Sequence, residues 1–165
     1  MVLLCDIINN NEEYPMNLEI KGKAKNVKSR TICDAVEFYA SHLLTKRLKN
    51  KISLKINISK SNLPDNIDGF CDWMDDNKSP RDFEITVRPN LSKEETLTLI
   101  AHEMVHLKQH ATNQLFDYAR GTSCRYNGKV YDRDKIDYWE LPWEIEAYGR
   151  ERGLYVRYLH SKRDK

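Results

Sequence analysis

Three of the five histidines of this 165-residue chain fall within AHEMVHLKQH, residues 101–110, and Glu103 directly follows the first. On a helix, residues four apart share a face, so His102 and His106 can aim two imidazoles at one ion. Glu103 lies about 100° around from His102, within reach of a water on that ion without being forced to ligate it. This is the chemistry of H-E-x-x-H: two neutral nitrogen ligands suited to zinc, and a carboxylate placed as general base. Chance produces the pattern in roughly 1% of chains of this length and composition, so a metal site outweighs two histidines packing beside Ile100, Met104 and Val105.

His110 continues the same face, but it stands about 12 Å from His102 along an unbroken helix, whereas each ligand nitrogen must lie about 2.1 Å from the ion. No glycine separates the two to make a break. His110 is therefore expected to line the cleft or support the site from behind, with plain surface exposure as the competing reading. A catalytic zinc takes three protein ligands and leaves a fourth position to water, so the third must come from another element. WEIEAY, residues 143–148, offers Glu144 and Glu146. They are about 200° apart on a helix, and only one can face the metal. An apolar stripe of Ile145, Tyr148, Gly149, Val156 and Leu159 favours Glu144, with Glu146 as the alternative. Both could instead be solvated carboxylates favoured by the helix dipole. An oxyanion needs a hydrogen-bond donor, and Tyr138, Tyr148, His160 and Arg150 are candidates, with a polar helix end as the favoured role of His160.

These residues need elements to hold them. SKEETLTLIAHEMVHLKQHA opens on Ser92 with Glu95 three residues on, a capping box, and runs without Pro or Gly for five turns. The segment from Thr31 to about Lys49 repeats Ile32, Val36, Tyr39, Ala40, Leu43 and Leu44 at helical spacing and carries His42, which reads as a packing residue. Alternation predicts a strand over 51–60 and another over 81–89, the latter through Phe83, Ile85 and Val87; a further strand is expected over 67–76. Weaker strands are expected at 2–8 and 17–21. RYNGKVY, residues 125–131, centres on Asn127-Gly128 and predicts a type I′ hairpin. Pro142 sits where a last helix would begin. Three strands between two helices predict an α+β fold: a small, twisted, mostly antiparallel sheet packed on an N-terminal helix, the H-E-x-x-H helix and a C-terminal helix. The length suits one domain spanning 1–165.

AHEMVHLKQH followed about forty residues on by EIEA resembles the zincin metallopeptidases of the gluzincin type, and is similar to the ImmA/IrrE-like family, which pairs H-E-x-x-H with a downstream E-x-E-A. In such families the glutamate three residues before the alanine is the zinc ligand, which maps to Glu144 with Ala147 as the alanine. Tyr148 departs from the Asn or Asp of that family, and its F-A-x-x-L-L-M-P is absent. GFCDW, RDFEITV and PWEIEAYGRERGLY also resemble small phage-encoded zincin-like proteins, over roughly residues 67–160. The resemblance implies a minimal zincin-like fold, one Zn2+, and peptide hydrolysis by a metal-activated water with Glu103 as base. It also implies an edge strand at 81–88, on which an extended peptide or protein substrate would lie beside Phe83, Ile85 and Val87. A catalytically inactive, zinc-stabilised binding or regulatory domain is the alternative, and a closed site with four protein ligands would identify it.

Composition narrows the remaining classes. Lys+Arg of 27 against Asp+Glu of 25 gives a net charge of +2 without a long basic block, which argues against nucleic-acid binding. No apolar run approaches a membrane span, and the first residues lack the basic and small-residue features of a signal peptide. Cys5, Cys33, Cys71 and Cys124 form no C-x-x-C pair. Free thiols and a cytoplasmic location, host cytoplasm if the chain is viral, are expected. Substrate identity and oligomeric state have no signature in the sequence.

Overall fold

The computed structural model describes residues 2–4, 16–61, 63–76 and 78–163. It is an α+β fold. The main sheet contains β1 (Val2–Leu4), β2 (Asn17–Gly22), β3 (Ser53–Ile58), β4 (Gly69–Trp73) and β5 (Asp82–Val87), in the order β1-β2-β3-β5-β4. A smaller sheet holds β6 (Leu115–Asp117), β7 (Ser123–Tyr126) and β8 (Lys129–Asp132). The helices are α1 (Ser29–Leu43), the short α2 (Lys46–Lys49), α3 (Lys93–Ala111) and α4 (Pro142–Arg163). The part of the expected first strand at 5–8 lies outside the described residues.

The expected mostly antiparallel sheet is corrected to a mixed one. The two central ladders, β2 with β3 and β3 with β5, are parallel, while β1 and β4 pair antiparallel at either side. The reason lies in the connections. The chain leaves β2 through α1 before returning as β3, and a crossover of that kind joins parallel strands. Gly22 ends β2 at φ +89°, and a Cβ there would stand 2.2 Å from the Ile58 carbonyl oxygen, so the close approach of β2 to β3 needs glycine.

Alternation sorts the two faces of the sheet. Leu54, Ile56 and Ile58 of β3 and Phe83, Ile85 and Val87 of β5 are buried in one core with α1, α3 and α4. On the opposite face Glu84 accepts from Lys55 Nζ at 2.6 Å and Asn57 Nδ2 at 2.8 Å. Burial pushes the Glu84 carboxyl up, but these hydrogen bonds outweigh it and hold the group below its ordinary range.

Helix α1 buries Ile32, Val36, Tyr39 and Ala40 as its spacing predicts, but it ends at Leu43 instead of running to 49. Leu44 is extended, and Thr45 caps α2 by accepting from the Leu48 amide at 3.3 Å. A threonine that can cap competes with helix continuation. His42 sits on the Phe38 ring with centroids 4.1 Å apart. Among the described cysteines Cys71 and Cys124 are free, whereas Cys33 is disulfide-bonded, so the expectation of free thiols fails there. Wide separation in sequence does not keep two cysteines apart in the fold. No described helix is long and apolar enough to cross a membrane.

Candidate metal centre

The capping box at the start of α3 is present in both halves: Ser92 Oγ accepts from the Glu95 amide at 3.2 Å, and the Ser92 amide donates to Glu95 Oε2 at 2.8 Å. From that fixed start α3 runs unbroken to Ala111 and carries His102 and His106 on one face. Helix α4 crosses it and presents Glu144. His102 Nε2 and His106 Nε2 are 3.1 Å apart, and Glu144 Oε2 lies 3.5 Å from the first and 3.6 Å from the second. Donors on a tetrahedral ion at about 2.05 Å stand about 3.3 Å from one another. The three atoms therefore already hold the spacing of one face of such a tetrahedron, and they are close enough to hold a metal ion.

The outer nitrogens are tied as well. His102 Nδ1 lies 2.7 Å from Glu151 Oε2, and His106 Nδ1 lies 2.9 Å from Gln109 Oε1. Each ring thus has an acceptor behind it, which directs Nε2 inward. Burial disfavours charge on His102, yet the carboxylates of Glu144 and Glu151 overcome it and raise the imidazole to about 9. His106 moves up for the same kind of reason, against its burial, through Glu144 and Glu103. Burial also opposes ionisation of Glu144, but the two imidazoles and the Tyr138 hydroxyl hold its carboxyl far below the usual range.

Glu103 is 5% exposed and lines the same cleft. Burial raises its carboxyl, with His106 and His102 pulling the other way. Tyr138, in a short turn at Tyr138–Glu140, donates its hydroxyl to Glu144 Oε2 at 2.8 Å. Tyr148 meets His102 edge to face with ring centroids 4.6 Å apart, and Trp139 leans on Tyr148 at 5.2 Å. His110 is buried against Trp73, centroids 4.3 Å apart, and burial with the nearby His106 and Arg133 lowers it to about 3. Of the two readings for His110, cleft lining is the one observed.

Four expectations are corrected. Glu146 points away from the donors: its oxygens receive Lys108, Gln109, Gln114, Tyr126 and Arg150, so it is not the third member of the group. His160 is exposed near the far end of α4 and does not line the cleft. Arg150 is spent on the ion pair with Glu146 at 3.0 Å. Phe83, Ile85 and Val87 are fully buried on an interior strand, because β4, although earlier in sequence, lies outside β5. The α4 stripe is also relocated: Ile145 is 56% exposed, and the buried residues are Trp143, Glu144, Ala147, Leu154, Tyr155 and Tyr158.

The strand along the cleft is β4, and its register shows which groups are open. Arg88 N donates to Asp68 O and Met74 N to Asp82 O, each at 2.8 Å, so even-numbered residues of this strand bond to β5. By the two-residue period, Gly69, Cys71 and Trp73 turn their backbone N–H and C=O outward. The cleft between β4, α3 and the 138–148 segment encloses about 1220 Å³. Sequence reasoning missed Glu151 and Gln109, and it expected the strand over 67–76 without its place at the sheet edge along the cleft. Glu151 follows Glu144 by seven residues, two turns along the same face, which is a usable signal. Comparison with protein-family models, curated proteins and solved structures returned no match.

Proposed function

We propose that the chain is a zinc-dependent metallopeptidase acting on an extended peptide or protein segment. The observation that carries this reading is the His102, His106 and Glu144 triangle with its 3.1–3.6 Å edges, beside a buried glutamate in an open cleft. Histidine nitrogens with one carboxylate oxygen suit zinc, and among the described residues the group numbers three, as a catalytic site requires. A bound zinc would acidify water and polarise the scissile carbonyl.

The protein's own residues supply the rest. The outward groups of Gly69, Cys71 and Trp73 can pair with an extended substrate, replacing the role first expected of β5. Glu103 accepts a proton from the attacking water at its carboxylate and returns it to the leaving amine nitrogen. Tyr148, beside His102 in the cleft, is the hydroxyl available to donate to the carbonyl oxygen as it gains charge, whereas the Tyr138 proton is committed to Glu144. Burial raises the Tyr138 hydroxyl first, and its bonds to Tyr148 and Glu144 add to this, so it stays protonated as the donor that holds Glu144.

The test compares zinc content and peptide cleavage in the parent and in Glu103→Ala. Retained zinc with cleavage lowered by a factor of about 10²–10⁴ is expected. Undiminished cleavage in the variant would remove Glu103 from the mechanism, and unchanged zinc content in His102→Ala and His106→Ala would remove the site.

A further inference from the structure

We propose that Glu146 is a positioning residue for the metal centre, acting through Gln109 to hold the His106 ring with an unprotonated Nε2 facing His102 and Glu144. The proposal rests on the metal-site reading above and adds a residue that touches none of the three donors.

Gln109 Nε2 lies 2.9 Å from Glu146 Oε2 and 3.0 Å from the Trp143 carbonyl oxygen. Both partners are acceptors only, so the amide must turn its NH2 group toward them. Its carbonyl oxygen then faces His106 Nδ1, 2.9 Å away. A carbonyl can only accept, which places the ring proton on Nδ1 and leaves the lone pair of the neutral imidazole on Nε2. His102 obtains the same tautomer directly from the Glu151 carboxylate at 2.7 Å. The two histidines are therefore oriented by different means, one by a carboxylate and the other by an amide whose direction a second carboxylate decides.

Glu146 is itself held without freedom to turn. Oε1 accepts from Lys108 Nζ at 2.8 Å and forms an ion pair with Arg150 Nε at 3.0 Å; Oε2 accepts from Gln109, from Gln114 at 3.0 Å and from the Tyr126 hydroxyl at 2.9 Å. Four hydrogen-bond donors and one ion-pair partner meet a group with about four lone-pair positions. They come from α3, β7, the loop before β6 and α4 itself. A Glu146→Gln side chain keeps the shape but offers one acceptor oxygen. The two cations draw that oxygen to their side and its NH2 group then opposes the NH2 group of Gln109, so that only the Trp143 carbonyl still favours the original direction and the reversed amide gains population. Reversed, it donates to His106 Nδ1 and moves the ring proton to Nε2, where it blocks a metal.

Two measurements test this on the full chain, with circular dichroism verifying the fold of each variant. Histidine-ring 15N NMR of the metal-free protein at alkaline pH reads the tautomers, and competition with a chelator gives the zinc Kd. The parent is expected to show His106 protonated at Nδ1. Glu146→Gln should shift His106, and not His102, toward the Nε2-protonated form and raise the zinc Kd about 10–100-fold. Gln109→Met should raise it comparably, and the double variant should be no worse than the worse single one. An Nε2-protonated His106 in the parent overturns the proposal without any variant having to fold. So does a Glu146→Gln protein with parental tautomer and a Kd within about twofold, or additive losses in the double variant. Failure of the metal-site reading looks different: parent and His102→Ala would bind zinc alike, and the tautomer measurement, made without metal, would still decide the relay.

Discussion

His102 and His106 carry the same side chain, yet what lies behind each ring differs, and the consequences of removing it should differ too. Glu151 is the Nδ1 partner of His102 at 2.7 Å, and its carboxylate is among the groups that keep that ring charged when no metal competes. Glu151→Ala is expected to raise the zinc Kd about 10–100-fold while leaving the fold intact, since the partners of a ligating histidine typically contribute that much. Chelator competition reads the constant; an unchanged Kd would mean that packing against Tyr148 alone orients the ring. At this scale much was legible in the sequence. His102, Glu103 and His106 depend only on helical spacing within one element, and helix geometry is local. Glu144 over Glu146 was decided by which face of α4 turns inward, although the stripe used to judge it was misplaced, because Ile145 faces outward, Tyr148 turns to the cleft, and Trp143 and Tyr155 pack. Gln109 had no signal of its own: a glutamine three residues after a histidine is ordinary on any helix.

Strands were legible as strands but not as neighbours. Alternation placed β3 and β5 close to their observed bounds, and Asn127-Gly128 turns the β7–β8 hairpin with φ of 48° and 82°, as the dipeptide predicts. Order within the sheet is a matter of tertiary packing, on which a two-residue period is silent. Hence β5 was taken for the edge, and β4 occupies it. The two strands should now respond oppositely to substitution. Phe83 is fully buried, so Phe83→Ala is expected to destabilise the protein by about 3–5 kcal/mol, read by denaturant unfolding. Cys71 turns its N–H to the open side, where proline removes no ladder bond. Cys71→Pro is therefore expected to cost less stability than Phe83→Ala while raising KM for peptide hydrolysis several-fold. A Cys71→Pro protein with parental KM would show that substrate does not pair along β4.

Across the whole molecule, the donors divide between two bodies of unequal support. His102 and His106 belong to α3, whose Leu97, Ile100, Met104, Val105 and Leu107 are fully buried with the sheet and α1. Glu144 belongs to the first turns of α4, beside the separate small cluster of Leu115, Cys124, Tyr126, Leu141 and Trp143. Further along, α4 shares the main core through Ala147, Leu154, Tyr155 and Tyr158, so a metal ion on this triangle would tie only its first turns more firmly to α3, adding to the polar contacts of Tyr138 on Glu144, Glu151 on His102 and the donors on Glu146. Ligand bound only to the native state stabilises it, by about 2.7 kcal/mol at a hundredfold excess over Kd. That gain should be local first, because structures open in cooperative units well below the global unfolding free energy. Amide hydrogen exchange with and without a chelator measures the distribution. Removal of zinc is expected to lower protection in residues 138–152 and in the β6–β8 sheet, and to leave β3, β5 and the middle of α3 near their global values. Equal loss everywhere would mean that the two clusters unfold as one. Loss in β3 and β5 before α4 would mean that the metal is not the tie between α3 and α4 described here.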